Sequence, residues 1–343
     1  MTQYVTSFLE VGVVFMFFTI ALNIRWGWAG DLDLSVFSYV AVGAYITAVC
    51  VAGRAVPPDE WIIGQRWPFL VALLASMIAG GVLSLLFGML ALRRLRGDYF
   101  AIGSLCFTLI VYAVVSQFLP LFDSFQGVTG VPQPFEGALK LSQNGYDVFY
   151  LVFSIAILGV VYAFTQHVYR SPFGRSLRAI RDDPDAAVAF GRNVYVSKLK
   201  AYVIGGMLAS LGGGLYVGIL GTWNPFAWSS SETFLLLCAV LMGGIANTKG
   251  VLLGTFIVMV ALTEATRYIP ALPGPNGQGD SESIQYIVVA LLIMALLRWR
   301  PQGIIPEKRD LDGLAGSRGP RWRPQAVLAE PQDRDSLAES RKQ

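Results

Sequence analysis

Apolar residues run together along this chain in stretches of about 20, separated by short segments rich in charge, proline and glycine. Runs near 6–24, 34–52, 68–92, 99–119, 148–166, 201–221, 233–245, 251–269 and 284–298 approach the roughly 20 residues that a helix needs to cross about 30 Å of hydrocarbon. The pattern predicts an all-α, polytopic helical membrane protein. The run at 233–245 is short for a crossing and the chain around Gly30 reads as a broken or re-entrant helix, so the expected count is eight to ten transmembrane helices.

Composition strengthens this reading. The chain is 54% hydrophobic and 14% charged, with a mean hydropathy of +0.54, too apolar for an ordinary soluble domain. Charge placement then orients it, because short cytoplasmic loops are enriched in lysine and arginine. Arg93, Arg94 and Arg96 follow the third run, seven basic residues lie between 170 and 200, and Arg298 and Arg300 follow the last run. These segments are expected inside. Residues 120–147 hold one lysine against Asp123, Glu136 and Asp147, and 270–283 hold acids and no base. They are expected outside, and the intervening runs alternate accordingly, with the C-terminus cytoplasmic.

The start "MTQYVTSFLE" lacks a basic flank and a small-residue cleavage pattern, so it reads as a retained first span. From about 307 to 343 the chain turns to Pro, Arg, Asp, Gln and Gly, a composition that buries too little to fold alone. The expected organisation is therefore a transmembrane domain at 1–306, with a cytoplasmic loop at about 170–200, followed by a disordered cytoplasmic tail at 307–343.

Candidate chemistry is sparse. Cys50, Cys106 and Cys238 sit in apolar runs, where a thiol acts as a small hydrophobe, and no disulfide or zinc spacing is present. A single histidine, His167, cannot build a metal site. "GGIANTKG" is out of register for a GxxxxGKS/T phosphate loop, and no HExxH, GxSxG or kinase set occurs. The acids in or beside apolar runs, Glu10, Asp31, Asp33 and Glu264, are scattered. A catalytic role is not expected, and any ATP hydrolysis belongs to another chain.

One polar stretch, "RDDPDAAVAFG" at 181–191, carries the signals of a short helix. Asp183 suits the N-cap, Pro184 the first turn, Asp185 the positive end of the helix dipole and Gly191 the left-handed stop. Ala186, Ala187 and Phe190 then share a face, a small apolar surface with one aromatic knob that fits a partner's groove. Arg175, Arg178 and Arg181, three apart, predict a basic stripe beside it. On spacing alone, a solvated loop with positive-inside charge explains the stretch equally well.

"DAAVAFG" matches the pattern Glu/Asp-Ala-Ala-x-x-x-Gly of the loop that, in permease subunits of bacterial ATP-binding cassette (ABC) importers, forms the coupling helix. The string "SPFGRSLRAIRDDPDAAVAFGRNVYVSKLKAYVIGGMLASLGGGLYV" resembles the branched-chain amino-acid permease family, M-type subunit. Four more blocks fit that family in order: "LNIRWGWAGDLDLSVFSYVAVGAY", "LRGDYFAIGSLCFTLI", "VLMGGIANTKGVLLGTF" and "RPQGIIP". The resemblance spans about 20–306. It implies an ABC importer permease fold, with a second homologous permease, two ATP-binding subunits and a periplasmic solute-binding protein as partners. No cofactor belongs to this chain, since ATP and Mg would be bound by the partner ATPases. The coupling residues it implies are Arg175, Arg178, Arg181, Asp185, Ala186, Ala187, Phe190 and Gly191.

Departures from the family bear on the solute. Where the family commonly reads GxxGQLSLG, this chain reads "GWAGDLDLS", with Gly30 kept but Asp31, Asp33 and Ser35 at the Gln, first Ser and last Gly positions. Two carboxylates beside an unwound helix are costly in lipid unless paired or hydrated. They could hold an ammonium group of the solute, or cap a helix end at the inner interface, the reading that Arg25 and the loop assignment favour. "FQGVTGVPQPF", with Thr129 and Gly130, resembles a shortened form of the family's stretch at the external mouth, although a plain outer turn explains it as well. The glycines at 205, 206, 212, 213, 214, 218 and 221 suit close helix packing, Trp223 and Trp228 an interfacial belt, and Glu264 either a pair with Arg267 or a place in the solute path.

The expected mechanism follows: ATP binding closes the ATPases, the 184–190 helix moves with them, and the spans alternate access to a central site for a branched-chain or related small amino acid or amide. Replacing Gly191, or a charge at Ala187, is expected to uncouple hydrolysis from uptake. An ion-coupled secondary transporter or a channel for a small polar solute is the alternative.

Overall fold

The computed structural model describes residues 2–53, 66–95, 97–117, 127–135, 143–225, 230–262 and 302–307, together with 287, 290, 291, 294, 295 and 298. The described residues form helices and no strand, an all-α polytopic membrane protein. In chain order the helices are α1 (Thr2–Leu22, continued by a π-helical turn at Asn23–Trp28), α2 (Val36–Val51), α3 (Phe69–Arg94), α4 (Asp98–Gln117), α5 (Gln143–Arg170), α6 (Pro172–Asp182), α7 (Pro184–Ala189), α8 (Val194–Leu220), α9 (Ser230–Gly243) and α10 (Thr248–Thr255, continued by a π-helix at Phe256–Leu262). Among the described residues, five stretches are long and apolar enough to cross a membrane: Thr6–Trp28, Phe69–Arg94, Asp98–Gln117, Gly145–Arg170 and Val194–Leu220. The runs near 34–52, 233–245 and 251–269 become the shorter helices α2, α9 and α10. The described residues of the ninth run are helical.

α8 is the central element and packs on α3, α2 and α1. Glycine allows this closeness: a Cβ on Gly43 of α2 would meet the backbone of Ser210, and one on Gly213 of α8 the carbonyl of Val40. Small residues at such crossings let backbones touch where lipid supplies no hydrophobic drive for association. Hydroxyls add the polar links, Ser210 donating to the Tyr39 carbonyl at 2.7 Å and Ser84 to the Tyr202 carbonyl at 2.7 Å.

α3, α4 and α5 turn apolar side chains outward, among them Leu74, Leu90, Ile102, Ile110, Val152 and Val160, the surface a lipid-embedded bundle presents. Cys106 is exposed on α4 rather than buried, whereas Cys50 is buried. Trp223 also departs from expectation: it is buried against the rings of Tyr45 and Tyr216 instead of standing in an interfacial belt. Its position follows from the antiparallel bridge between Val128 and Trp223, which draws the end of α8 under the 127–135 segment.

The break after α1 has a local cause. The π-helical turn ends at Trp28, Gly30 takes a φ of 86°, and Asp33 accepts hydrogen bonds from the Ser35 amide and hydroxyl. A side chain bonding its own backbone two residues on competes with helix, and the chain stays non-helical until α2 begins.

Candidate functional site

α6 and α7 form an elbow between α5 and α8. Ser171 caps α6, accepting from the Gly174 amide at 3.3 Å, with Pro172 in the first turn. Gly174, Leu177 and Ile180 are its buried residues. Asp183 ends α6 and starts α7, its carboxylate accepting from the amides of Asp185 at 3.0 Å and Ala186 at 2.9 Å. Pro184 follows the cap, and Gly191 adopts the left-handed φ of 74° that closes the turn. The predicted capping therefore forms, at the predicted residues.

The contact face is different from the one the spacing implied. Ala187 is only 5% exposed, because this side of α7 lies toward α6 and α8. The outward apolar groups are Phe190, 85% exposed, and Val188, 58% exposed; Ala186 is half-buried and Asp185 exposed. A charge at Ala187 would disturb the elbow itself, so it does not isolate docking.

The basic stripe is also largely spent within the chain. Arg181 donates to the Gly27 carbonyl at 2.6 Å and pairs with Glu307 at 2.8 Å, while Arg178 lies 4.1 Å over the Tyr169 ring and 4.0 Å from Glu307. Burial works against charge on Arg181, but Glu307 and Asp182 outweigh it and hold the guanidinium above its ordinary range. Arg175 remains on the exposed side, donating to the Arg170 carbonyl at 3.0 Å. Glu307 was assigned to the tail; it is bound into the folded domain instead.

Beneath the elbow lies a buried polar network. Arg25 pairs with Asp33 at 2.6 Å, both side chains fully buried, and donates to Ser84 and to the Tyr202 carbonyl at 2.9 Å each. The rings of Tyr39 and Tyr202 flank it, 4.1 and 4.7 Å from the guanidinium carbon. Flanking rings and shared hydroxyls replace the hydration that a buried ion loses. Both Asp33 oxygens are occupied, one by Arg25 and the other by Ser35. The Asp33 side chain is fully buried in this arrangement. Asp31 pairs with Lys198 at 2.7 Å; burial pushes its carboxyl up and Lys198 pulls against that.

Gly30, Asp31, Arg93, Arg181, Asp185 and Lys198 line a cavity of about 680 Å³ under the elbow. Thr129 and Gly130 are exposed and stand elsewhere. Gly130 lines a separate cavity of about 420 Å³ with Val51, Arg66, Trp67 and Phe135, beyond the far end of α2, whose 16 residues span about 24 Å. Gly30, Asp31, Asp33 and Ser35 thus lie together before α2, while Thr129 and Gly130 lie apart from them. Glu264 and Arg267 lie outside the described residues. The sequence reading missed Arg25, Lys198 and Glu307 as partners. An arginine inside the apolar stretch "ALNIRWGW" was the available signal, since such a charge must find a partner in the bundle.

A multi-pass helical bundle with a capped elbow between two of its long helices defines the class, a polytopic helical membrane protein. The chain belongs to the family described as the branched-chain amino acid transport system permease component, whose model matches residues 4–297. It is 28% identical over 295 residues, 81% of each chain, to the probable branched-chain amino acid transport permease protein LivM of Methanocaldococcus jannaschii. It is 26% identical over 318 residues, 87% of this chain and 69% of the relative, to the high-affinity branched-chain amino acid transport system permease protein LivM of Escherichia coli. A guanosine ABC transporter permease protein, NupQ of Bacillus subtilis, is 26% identical over 188 residues, 53% of this chain and 58% of the relative. No solved structure matches.

Proposed function

We propose that this chain is one permease subunit of an ABC importer that carries branched-chain amino acids or a related small amino acid or amide across the inner membrane. Separate ATPase subunits drive it through the α6–α7 elbow, a second homologous permease completes the pathway, and a periplasmic binding protein delivers the solute. The observation that carries this reading is the capped α7 helix, which turns Phe190 and Val188 into solvent beside a segment rich in arginine. An apolar knob on a short rigid helix is a means of engaging a groove on a partner.

On this reading the elbow and the C-terminus are cytoplasmic, as the basic residues near 93–96 and 170–200 support. Gly30, Asp31, Asp33 and Ser35 then lie near the inner face, where Asp33 and Ser35 hold the broken helix in shape. Thr129, Gly130 and Glu264 remain candidates for the outer solute path. The carried solute stays broad in this proposal, because the relatives include a guanosine permease as well as branched-chain amino-acid permeases.

The test is reconstitution. Co-expressed with its two ATPases and second permease, the chain is expected to co-purify with them and to take up leucine in proteoliposomes only with ATP and binding protein. Leucine flux through the single purified chain, driven by an ion gradient or by nothing, would overturn the proposal in favour of a secondary transporter or a channel.

A further inference from the structure

Glu307 sits where three parts of the fold meet. Its carboxylate pairs with Arg181 at 2.8 Å and Arg178 at 4.0 Å, both of α6, and accepts from the Tyr169 hydroxyl at 3.1 Å. Arg181 uses its other nitrogen on the Gly27 carbonyl at 2.6 Å, in the π-helical turn that ends α1. A carboxylate only 14% exposed and shared between two guanidinium groups is screened far less than a surface pair.

The residues just before Glu307 are fastened elsewhere. The amides of Ile304 and Ile305 donate to the carbonyls of Met242 at 2.9 Å and Gly243 at 3.1 Å, at the end of α9. Asn247, which caps α10, donates from its side chain to the carbonyls of Ile305 at 3.3 Å and Pro306 at 3.2 Å. Gly303 and Gly244, with φ of 77° and 111°, lie in backbone contact, so neither position has room for a side chain. The same α9–α10 turn is tied to the broken end of α1, Ala246 donating to Asn23 at 2.9 Å and accepting from Trp28 at 3.3 Å.

We infer that residues 302–307 form a strap, and that Glu307 is the positioning residue through which displacement of the α6–α7 elbow reaches the α9–α10 hairpin. The inference rests on the docking role proposed for the elbow. Helices are stiff and the strap is short, six residues held by hydrogen bonds at one end and by an ion-pair cluster at the other. If the elbow moves while the cluster holds, the hairpin turn must move with it. If the cluster is broken, the elbow keeps its bond to Gly27 but loses its hold on the hairpin.

The experiment uses the full importer in proteoliposomes and compares the parent with Glu307→Gln and Glu307→Asp. ATP hydrolysis, solute uptake and retention of the ATPase subunits are measured together. Glu307→Gln keeps the shape of the side chain and removes its charge. It is expected to retain the ATPases and their turnover while uptake per ATP hydrolysed falls about tenfold, within the usual range of coupling energies. Glu307→Asp is expected to recover part of the ratio. An unchanged ratio in Glu307→Gln overturns the strap, and so does failure of that variant to accumulate in the membrane, which would make Glu307 a residue of the fold alone. If the parent itself does not couple hydrolysis to uptake, the docking role falls and takes the strap with it, an outcome distinct from a parent that couples and a variant that couples equally well.

Discussion

Two aspartate-bearing stretches interrupt the apolar runs, "GDLDLS" at 30–35 and "RDDPDAAVAFG" at 181–191, and the fold treats them in opposite ways. The first turns its charge inward: Asp33 is fully buried against Arg25, and Asp31 is tied to Lys198. The second spends Arg181 on partners within the chain but keeps its aspartates on caps and at the surface, and turns apolar groups outward, Phe190 above all. A charged stretch in this protein can thus be drawn into the bundle, where its charges find partners in the chain, or stand outside it and expose apolar groups, as the proposed docking role requires. Acidic content does not distinguish them; the destination of each side chain does.

The contrast can be broken by substitution. Asp33→Asn should have the largest effect on the protein itself, because it leaves the Arg25 guanidinium unpaired inside the bundle. Loss of one partner of a buried pair costs about 3–5 kcal/mol. A lower midpoint in detergent unfolding should show it, and replacing Arg25 by Met in the same chain should recover part of the loss. A variant as stable as the parent would mean that the pair is not what holds 29–35.

Phe190→Asp should act on the other side of the comparison. Unfolding should stay within about 0.5 kcal/mol of the parent, as for surface changes. Binding of the ATPase subunits should weaken by about 2 kcal/mol, the size of an interface hot spot, as a pull-down titration would read. Equal binding would remove Phe190 from the docking face.

Gly191→Ala tests the turn behind that face. Nothing lies within 4 Å of the added methyl group, so the cost is the left-handed backbone alone, about 1–2 kcal/mol. It should appear as faster amide exchange at Arg192, whose N–H bonds the Ala187 carbonyl at 3.0 Å. Asp183→Ala should be the mildest, about 1 kcal/mol for a lost N-cap, with faster exchange at the Asp185 and Ala186 amides that the cap protects.

Much of the elbow was legible because its signals are local. Asp183, Pro184 and Gly191 act on groups within a few residues of themselves, and capping needs no distant partner. α6, capped by Ser171 and opened by Pro172, entered that reading only through its arginines, which read as a free stripe because the acceptors Gly27 and Glu307 lie 154 and 126 residues from Arg181. Ala187 was misplaced for a related reason: helical spacing tells which residues share a face but not which way that face looks.

By itself the sequence determined the helical membrane class, the family, and the capped turn at 183–191. Runs of apolar residues and capping patterns act over short range or through the solvent. The tertiary structure alone showed that Asp33 is buried against Arg25, and that 302–307 returns to the elbow. Arg25 reaches Ser84, 59 residues away, and Tyr202, 177 residues away, and a buried ion is stable only once all such partners have converged.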